Sequence, residues 1–288
     1  MALSGKQRFF LLLMVLMLSA MPLAAEQNLI FGVYTADKPS VVVRQFRPAL
    51  NELEKSMSAQ LGEPVKIKMQ VARSYEQGVA ELVAGQVDFS RFGPASYVLA
   101  KRQNPQLRIL AAEASKNKKI FYGLICVRQD SPIKSINELK GKRFAFGDEQ
   151  STIGRYLAQL YLMEHGIHAT DLQSFEYLGR HDKVGAAVGV GSFDAGALKE
   201  STYKKLRSKG TPIRELARFE NVTKPWIARA GLEPDLFDAL QRGLLAMQDG
   251  AALKSLKKTG FLAADDADYD RIRQSIEQNP AFFKGIGE

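Results

Sequence analysis

Two stretches far apart in the chain read almost the same way. Residues 79–83 lead into Gly85-Gln86-Val87-Asp88-Phe89, and residues 184–188 lead into Gly191-Ser192-Phe193-Asp194-Ala195. Each runs helix, glycine stop, polar residue, apolar residue, Asp, apolar residue. Glycine takes the left-handed conformation that closes a helix, and the short apolar run behind it reads as a buried strand. We expect each Asp to end its strand, where open parallel sheets place ligand-contacting residues. Chance likeness of two βαβ units is the plainer explanation. If the likeness is real, the chain folds as two similar lobes with a cleft between them, the usual place for a small ligand.

The rest of the pattern fits an α/β chain. Strands are expected at residues 29–33, 65–69, 87–89, 107–112 and 122–128, and helices at 42–61, 75–84 and 94–101, the first with Phe46, Leu50, Leu53 and Met57 at helical spacing. The pattern then restarts. A short capped helix is expected at 135–139, strands at 143–146, 175–178 and 192–195, and helices at 151–165 and 181–190. The later chain reads as helical at 233–248, 250–257 and 266–278. Strands alternating with helices imply mostly parallel sheets covered on both faces. On this reading lobe 1 takes residues 26–115 and is completed by 215–288, lobe 2 takes 116–214, and the hinges fall near 113–122 and 194–214.

Residues 1–25 read as a secretory signal, with Lys6 and Arg8 first, an apolar core at 9–18 and a small-residue cleavage site, Leu23-Ala24-Ala25, before Glu26. The core is shorter than the ~20 residues a membrane span needs. Losing Lys6 and Arg8 lowers the net charge from +9 to +7. The basic clusters Lys116-Asn117-Lys118-Lys119 and Tyr203-Lys204-Lys205-Leu206-Arg207 lack the interleaved aromatics of a nucleic-acid groove, and an excess of positive charge fits an anionic ligand. The single cysteine, Cys126, excludes a disulfide within the chain. His165 and His168 flank Gly166 at an expected helix end, without a third ligand for zinc.

The chemistry centres on Gly147-Asp148-Glu149-Gln150-Ser151-Thr152-Ile153-Gly154, between an expected strand and an expected helix. Backbone N–H groups at a helix start have no intrahelical partner and meet the positive end of the dipole, which suits an oxyanion. The plainer role of Ser151 and Thr152 is to cap the helix, worth ~1 kcal/mol.

Five segments follow one another in a specific order: Asp88-Phe89-Ser90-Arg91-Phe92-Gly93-Pro94; Asp130-Ser131-Pro132-Ile133 with Leu139-Lys140-Gly141-Lys142; Gly147 to Thr152; Gly179-Arg180-His181-Asp182; and Asp194-Ala195-Gly196. Together with the signal and the two α/β units, this order resembles the periplasmic phosphonate-binding proteins of ABC transporters, over roughly residues 29–206. The resemblance implies a two-lobed periplasmic binding protein of type II whose cleft closes on a phosphonate, phosphite or phosphate-like oxyanion. It implies a monomer that serves an ABC permease in the inner membrane, with no cofactor, metal or nucleic acid. The family's ligand hydroxyls fall on Ser151 and Thr152, its cleft histidine on His181 and a cleft tyrosine on Tyr75. Phe92 takes the place of an aromatic that is often Tyr, and Asp194 and Glu200 fall near positions used for the ligand's distal groups. Ser96 and Tyr122 complete the candidate set, with hinge packing the plainer role of Tyr122. Ile153 stands where the family often has a third hydroxyl. Each donor lost at Ile153 and Phe92 costs ~1.5–3 kcal/mol toward a charged oxygen.

Those departures keep two other functions open. One is a periplasmic sensor presenting its state to a membrane kinase or chemoreceptor. The other is a binding protein for an unrelated ligand, such as a pyrimidine-like vitamin precursor or small carboxylate, stacked by Tyr75, Phe92, Tyr122 and Trp226. A hydrolase built on Ser151, His181 and Asp194 lacks the Gly-x-Ser-x-Gly elbow.

Overall fold

The computed structural model describes residues 26–34 and 39–286; the expected signal at residues 1–25 lies outside them. Two sheets divide the chain. The first contains β1 (Gln27–Tyr34), β2 (Val65–Ala72), β3 (Phe89–Arg91), β4 (Arg108–Ala114), β10 (Pro225–Ala228) and β11 (Gly260–Leu262), in the order β11-β4-β10-β3-β1-β2. The second contains β5 (Ile120–Arg128), β6 (Arg143–Phe146), β7 (Ser174–Tyr177), β8 (Ala195–Lys199) and β9 (Ile213–Val222), in the order β7-β6-β8-β5-β9.

Each sheet is a parallel trio extended by antiparallel strands. β2-β1-β3 and β7-β6-β8 pair in parallel, and the next strand in each sheet, β10 or β5, runs antiparallel. That next strand is the first one the chain forms after crossing from the other sheet, so the antiparallel pairings follow from the crossings. The sheets are therefore mixed where mostly parallel ones were expected. The return crossing lies at Thr223 and Lys224, between β9 and β10, rather than near 194–214, because β9 pairs along its length with β5 and keeps the chain in the second sheet.

The repeat seen in the sequence is structural. Helix α2 (Tyr75–Val83) and helix α5 (His181–Gly189) end alike. Gly85 and Gly191 take positive φ (70° and 81°), and the next residue donates back to the helix, Gln86 N–H to the Glu81 carbonyl and Ser192 N–H to the Ala187 carbonyl, both 2.9 Å. Asp88 then accepts from Ile30 N–H at 2.7 Å and from Arg229 at 2.9 Å. Asp194 accepts from Arg143 N–H at 2.8 Å and from the Arg143 guanidinium at 3.0 Å. Both Asp residues precede their strands, correcting the expectation that they end them. Each clamps the neighbouring parallel strand, on the edge away from the strand ends.

Helix α1 (Pro39–Leu61) buries Phe46, Leu50, Leu53 and Met57 against the first sheet with α7 (Pro234–Leu245) and α8 (Gly250–Leu256). Pro48 lies inside α1, and Trp226, fully buried on β10, stacks on Phe31 at 4.9 Å between centroids. On the other side α3 (Pro94–Gln103) of the first lobe and α4 (Leu157–Glu164) of the second share one core. The C-terminal helices α9 (Asp270–Glu277) and α10 (Asn279–Phe282) pack across both. Tyr269 meets Tyr97 of α3, and Phe282 meets Phe146 and Phe175 of the second sheet. The C-terminus, expected to complete lobe 1, thus straddles the two. Helix α6 (Glu200–Ser208) covers the outer face of the second sheet, with Leu206 beside Gly185 of α5.

Candidate functional site

In a parallel trio the carboxyl ends of all three strands open on one edge, where side chains from successive loops meet. In the first lobe that edge carries Tyr34, the last residue of β1, and the Phe92-Gly93-Pro94 turn into α3. In the second it carries Gly147, just past β6, and the turn of five residues, Thr152–Tyr156, that opens α4.

That turn is wound as a π-helix, whereas an α-helix was expected throughout residues 151–165. Its N-cap is Ser151, whose Oγ accepts from Gly154 N–H at 3.0 Å. Gly147 and Gly154 hold the turn against the strand end. Gly147 N–H donates to the Gly154 carbonyl at 2.8 Å, and a Cβ on Gly154 would stand 2.7 Å from the Gly147 Cα. Neither position admits a side chain.

The two edges meet through Thr152. Its Oγ1 accepts from Ala95 N–H, in the first turn of α3, at 2.9 Å. Two helix starts, one from each lobe, therefore face each other. Beside this contact the Tyr34 hydroxyl accepts from Gly93 N–H at 2.6 Å and donates to Ser96 Oγ at 2.7 Å. A Cβ on Gly93 would lie 3.1 Å from Tyr34 Oη, 3.6 Å from Thr152 Oγ1 and 3.9 Å from Ser96 Oγ, so three hydroxyls converge there. Ser96, Ser151 and Thr152 are all buried. Tyr75 stacks on Tyr34 at 4.3 Å between centroids, and Phe92, fully buried, lies 5.4 Å from Tyr34. Burial raises both the Tyr34 and Tyr75 phenols above their usual value, so they stay protonated donors.

His181 begins α5 on the second lobe's side. The residue is half-buried, but its Nδ1 is fully enclosed, has no hydrogen-bond partner among the described residues and lies beside Gly147. Burial, with the Lys199 and Lys224 charges, holds the imidazole well below its ordinary pKa, against the opposing effects of Asp182 and the Ala197 carbonyl. The ring is neutral at pH 7 and presents a nitrogen to the site.

The remaining candidates lie elsewhere. The Ile153 side chain is buried in the shared core, 3.0 Å from the position a Cβ on Gly123 would take. Asp194 is occupied with Arg143 at the opposite end of β8. Glu200 pairs with Lys204 at 2.9 Å and Arg218 at 3.0 Å. Tyr122 lies under the Arg218 guanidinium, 4.9 Å from ring to carbon, with its hydroxyl 3.4 Å from Glu220. The sequence reading missed Tyr34, whose signal was its place as the last residue of a parallel strand, and Lys199, which ends β8 in the same way. A cavity of about 410 Å³ against the crossing strands is lined by Lys119, Ile120, Asn221, Asp268, Arg271 and Ile272, and none of the candidate residues lines it.

Chemically, the two serine and threonine hydroxyls are spent as acceptors. A hydroxyl has one proton and two lone pairs. Ser151 and Thr152 each take an N–H into a lone pair, and keep the proton to give. A ligand that only accepts, such as an oxyanion, fits that polarity.

The sequence profile for "ABC transporter, phosphonate, periplasmic substrate-binding protein" matches residues 31–269. A probable ABC-transporter phosphite-binding protein, PhnD1 of Prochlorococcus marinus (strain MIT 9301), is 31% identical over 196 residues; the match spans 64% of this chain and 65% of that protein, just under two thirds of its length. A phosphate-import protein of Mycolicibacterium smegmatis is 25% identical over 280 residues, 86% of this chain and 84% of that protein. The solved structure of PhnD1 from Prochlorococcus marinus (MIT 9301) in complex with methylphosphonate superposes with a TM-score of 0.73 at 23% identity, over 88% of this chain and 98% of that one, and so shares the fold.

Proposed function

Because the chain belongs to the family of periplasmic substrate-binding proteins of phosphonate ABC transporters, we propose that it captures a small phosphorus oxyanion between the two facing helix starts. Phosphite, methylphosphonate and phosphate are the candidates, as the ligands named for its relatives. The observation that carries the reading is the commitment of Ser151 and Thr152 as acceptors, which leaves both of their protons to be donated. Ser96, whose Oγ takes the Tyr34 proton and keeps its own, and the Ala95 N–H supply donors from the first lobe, and the Ile153 N–H from the second, while His181, whose one ring proton goes to the Ala197 carbonyl, flanks them. The ligand competes with Thr152 for the Ala95 donor and so bridges the lobes in its place.

Binding is selective for the closed arrangement because the donors come from both lobes, and only that arrangement brings them together. Residues 1–25 direct export, and the closed monomer is presented to a membrane permease that moves the ligand onward. Ile153 does not weaken the site as a missing hydroxyl would, since its side chain belongs to the core.

Calorimetric titration of the exported protein, freed of ligand by dialysis, tests this with phosphite, methylphosphonate, phosphate and acetate. Saturable binding of a phosphorus oxyanion is expected, with about 2.7 kcal/mol of added stability at a hundredfold excess over Kd. Ser151→Ala with Thr152→Ala removes two donors to a charged group and weakens it at least about tenfold. Binding that survives the double substitution unchanged, or no binding by any phosphorus compound, refutes the proposal.

A further inference from the structure

The cavity of about 410 Å³ lies where the chain passes between its two sheets. Its walls come from three places: Lys119 and Ile120, where β5 begins; Asn221 and Val222, where β9 ends; and the C-terminal segment, with Arg271 and Ile272 of α9. The two crossings are bonded to each other there, Thr223 N–H donating to the Lys119 carbonyl at 2.9 Å. Both are tied to the C-terminal segment. Lys119 Nζ donates to Asp268 at 2.6 Å and to the Ala263 carbonyl at 3.1 Å, and the Tyr269 hydroxyl donates to the Thr223 carbonyl at 3.2 Å.

Polar groups at this cavity are left unsatisfied. Asn221 is 3% exposed, and among the described residues neither its amide nitrogen nor its amide oxygen has a hydrogen-bond partner. Thr223 Oγ1, two residues on, is enclosed and also without one. Buried polar side chains nearly always find a partner, and a carboxamide left alone keeps its donors and its acceptor out of water at a cost in stability. Apolar surface is left uncovered at the same place. Ile120, which pairs with Val222 across the ladder, is 40% exposed. The charged walls are already matched, Lys119 with Asp268 at 2.6 Å and Arg271 with Glu164 at 3.1 Å. A neutral occupant leaves both pairs intact.

We propose that this cavity is a second ligand site, which takes a small neutral molecule with a lactam or imide edge and an apolar body. Such an edge carries a donor beside an acceptor and is the complement of the Asn221 carboxamide, while the body covers Ile120, Val222 and Ile272. The volume falls within the ~300–1,000 Å³ of small-molecule sites. Occupancy is coupled to the oxyanion site, because opening of the lobes turns on the crossings that wall the cavity and changes its shape. A ligand that fits one arrangement of the lobes better than the other shifts their equilibrium, and each ligand changes the affinity of the other by the same factor. The site stands apart from the oxyanion reading; the coupling rests on it.

Calorimetric titration of the exported protein with oxindole, an aromatic lactam, and with N-methyloxindole tests the site. Oxindole is expected to bind saturably, and the N-methyl compound, which has lost the donor, at least about tenfold more weakly. Asn221→Leu is expected to weaken oxindole at least about tenfold without lowering Tm, since it removes an unpaired buried amide. Ile120→Trp fills the cavity from an exposed position and is expected to abolish binding. Saturating methylphosphonate is expected to change the oxindole Kd by at least about threefold. No binding of oxindole, equal binding of the N-methyl compound, or an affinity unaltered in both variants overturns the proposal. Oxindole binding that bound methylphosphonate does not move overturns the coupling alone. Oxindole binding without binding of any phosphorus oxyanion refutes the oxyanion reading, and the second site stands.

Discussion

Replacing Glu113 by Gln removes a fully buried carboxylate beside the crossing without changing its shape. Glu113 is fully buried in β4 and accepts from Arg91 through both oxygens, at 2.8 and 3.1 Å, and from Lys258 at 3.1 Å. Burial alone would raise its pKa, but the Arg91 and Lys258 charges, the Arg91 hydrogen bonds and Lys224 outweigh it and hold the carboxyl at about 2, against an ordinary value of 4.5. A drop of that size corresponds to about 3 kcal/mol of stability. The folded pKa lies below the unfolded one, so this stability is fully present above pH 4.5 and is lost as the pH falls toward 2.

Taking one partner from a buried ion pair typically costs 3–5 kcal/mol, because the charges left behind are uncompensated. That matches the linkage figure, and for a chain of this size it corresponds to a fall in Tm of roughly 10 °C at pH 7. Thermal melts followed by circular dichroism at pH 7, 4.5 and 3 are the assay. The gap between the native protein and Glu113→Gln should narrow toward pH 3, as Glu113 of the unfolded chain takes up a proton that the folded one does not. Adding Lys258→Met to Glu113→Gln removes a stranded cation and should return at least about 1 kcal/mol. A gap below about 2 °C at pH 7, or one that does not change with pH, refutes the account of Glu113 as the counter-charge of the crossing.

Other outcomes follow from the same geometry. Asp88→Asn and Asp194→Asn should each destabilise by about 1–2 kcal/mol in denaturant melts, alike because they make matching bonds, and neither should shift oxyanion affinity more than about twofold; a large affinity loss in Asp194→Asn would return it to the binding site. Ile153→Ser should lower stability by about 2–4 kcal/mol through lost core volume and should not tighten oxyanion binding, as it would if a third hydroxyl were gained. Gly123→Ala should be destabilising by about 1–3 kcal/mol, since its Cβ would run into Phe219 and crowd Ile153. His181 is neutral when folded and takes up a proton on unfolding below pH 6.5, so it lowers stability as the pH falls through that value; His181→Gln should gain on the native protein, by on the order of 1 kcal/mol, between pH 7.5 and 5, and a constant difference would contradict the enclosed neutral ring.

What the sequence made legible was what local physics decides. Long periodic helices, such as the one carrying Phe46, Leu50, Leu53 and Met57, stand where their apolar spacing put them. The glycine stops at Gly85 and Gly191 needed positive φ and have it. The Ser151 cap is a contact between residues three apart and was equally visible. The strands β9 and β10 were missed because neither alternates cleanly. β9 mixes Arg214, Glu215, Arg218 and Glu220 with apolar residues, and β10 is four residues buried on both faces. Their pairing partners, β5 for one and β3 and β4 for the other, lie far away in sequence. With β9 unseen, the return crossing was set too early.

The direction of a strand explains why Asp194 stands away from the facing helix starts. Asp194 and Lys199 bracket the same five-residue strand, β8, and at about 3.3 Å per residue the two ends stand more than 13 Å apart. The motif that drew attention to Asp194 marks where the strand begins, because its carboxylate is needed to fasten Arg143 of the parallel neighbour. Asp88 does the same for Ile30 in the other lobe. A repeated motif in this fold therefore reports the closed end of each lobe. The open end is written five residues later, where Lys199 follows Asp194, and at the turn from Phe92 to Ser96 in the other lobe. Those residues differ in chemistry between the two lobes.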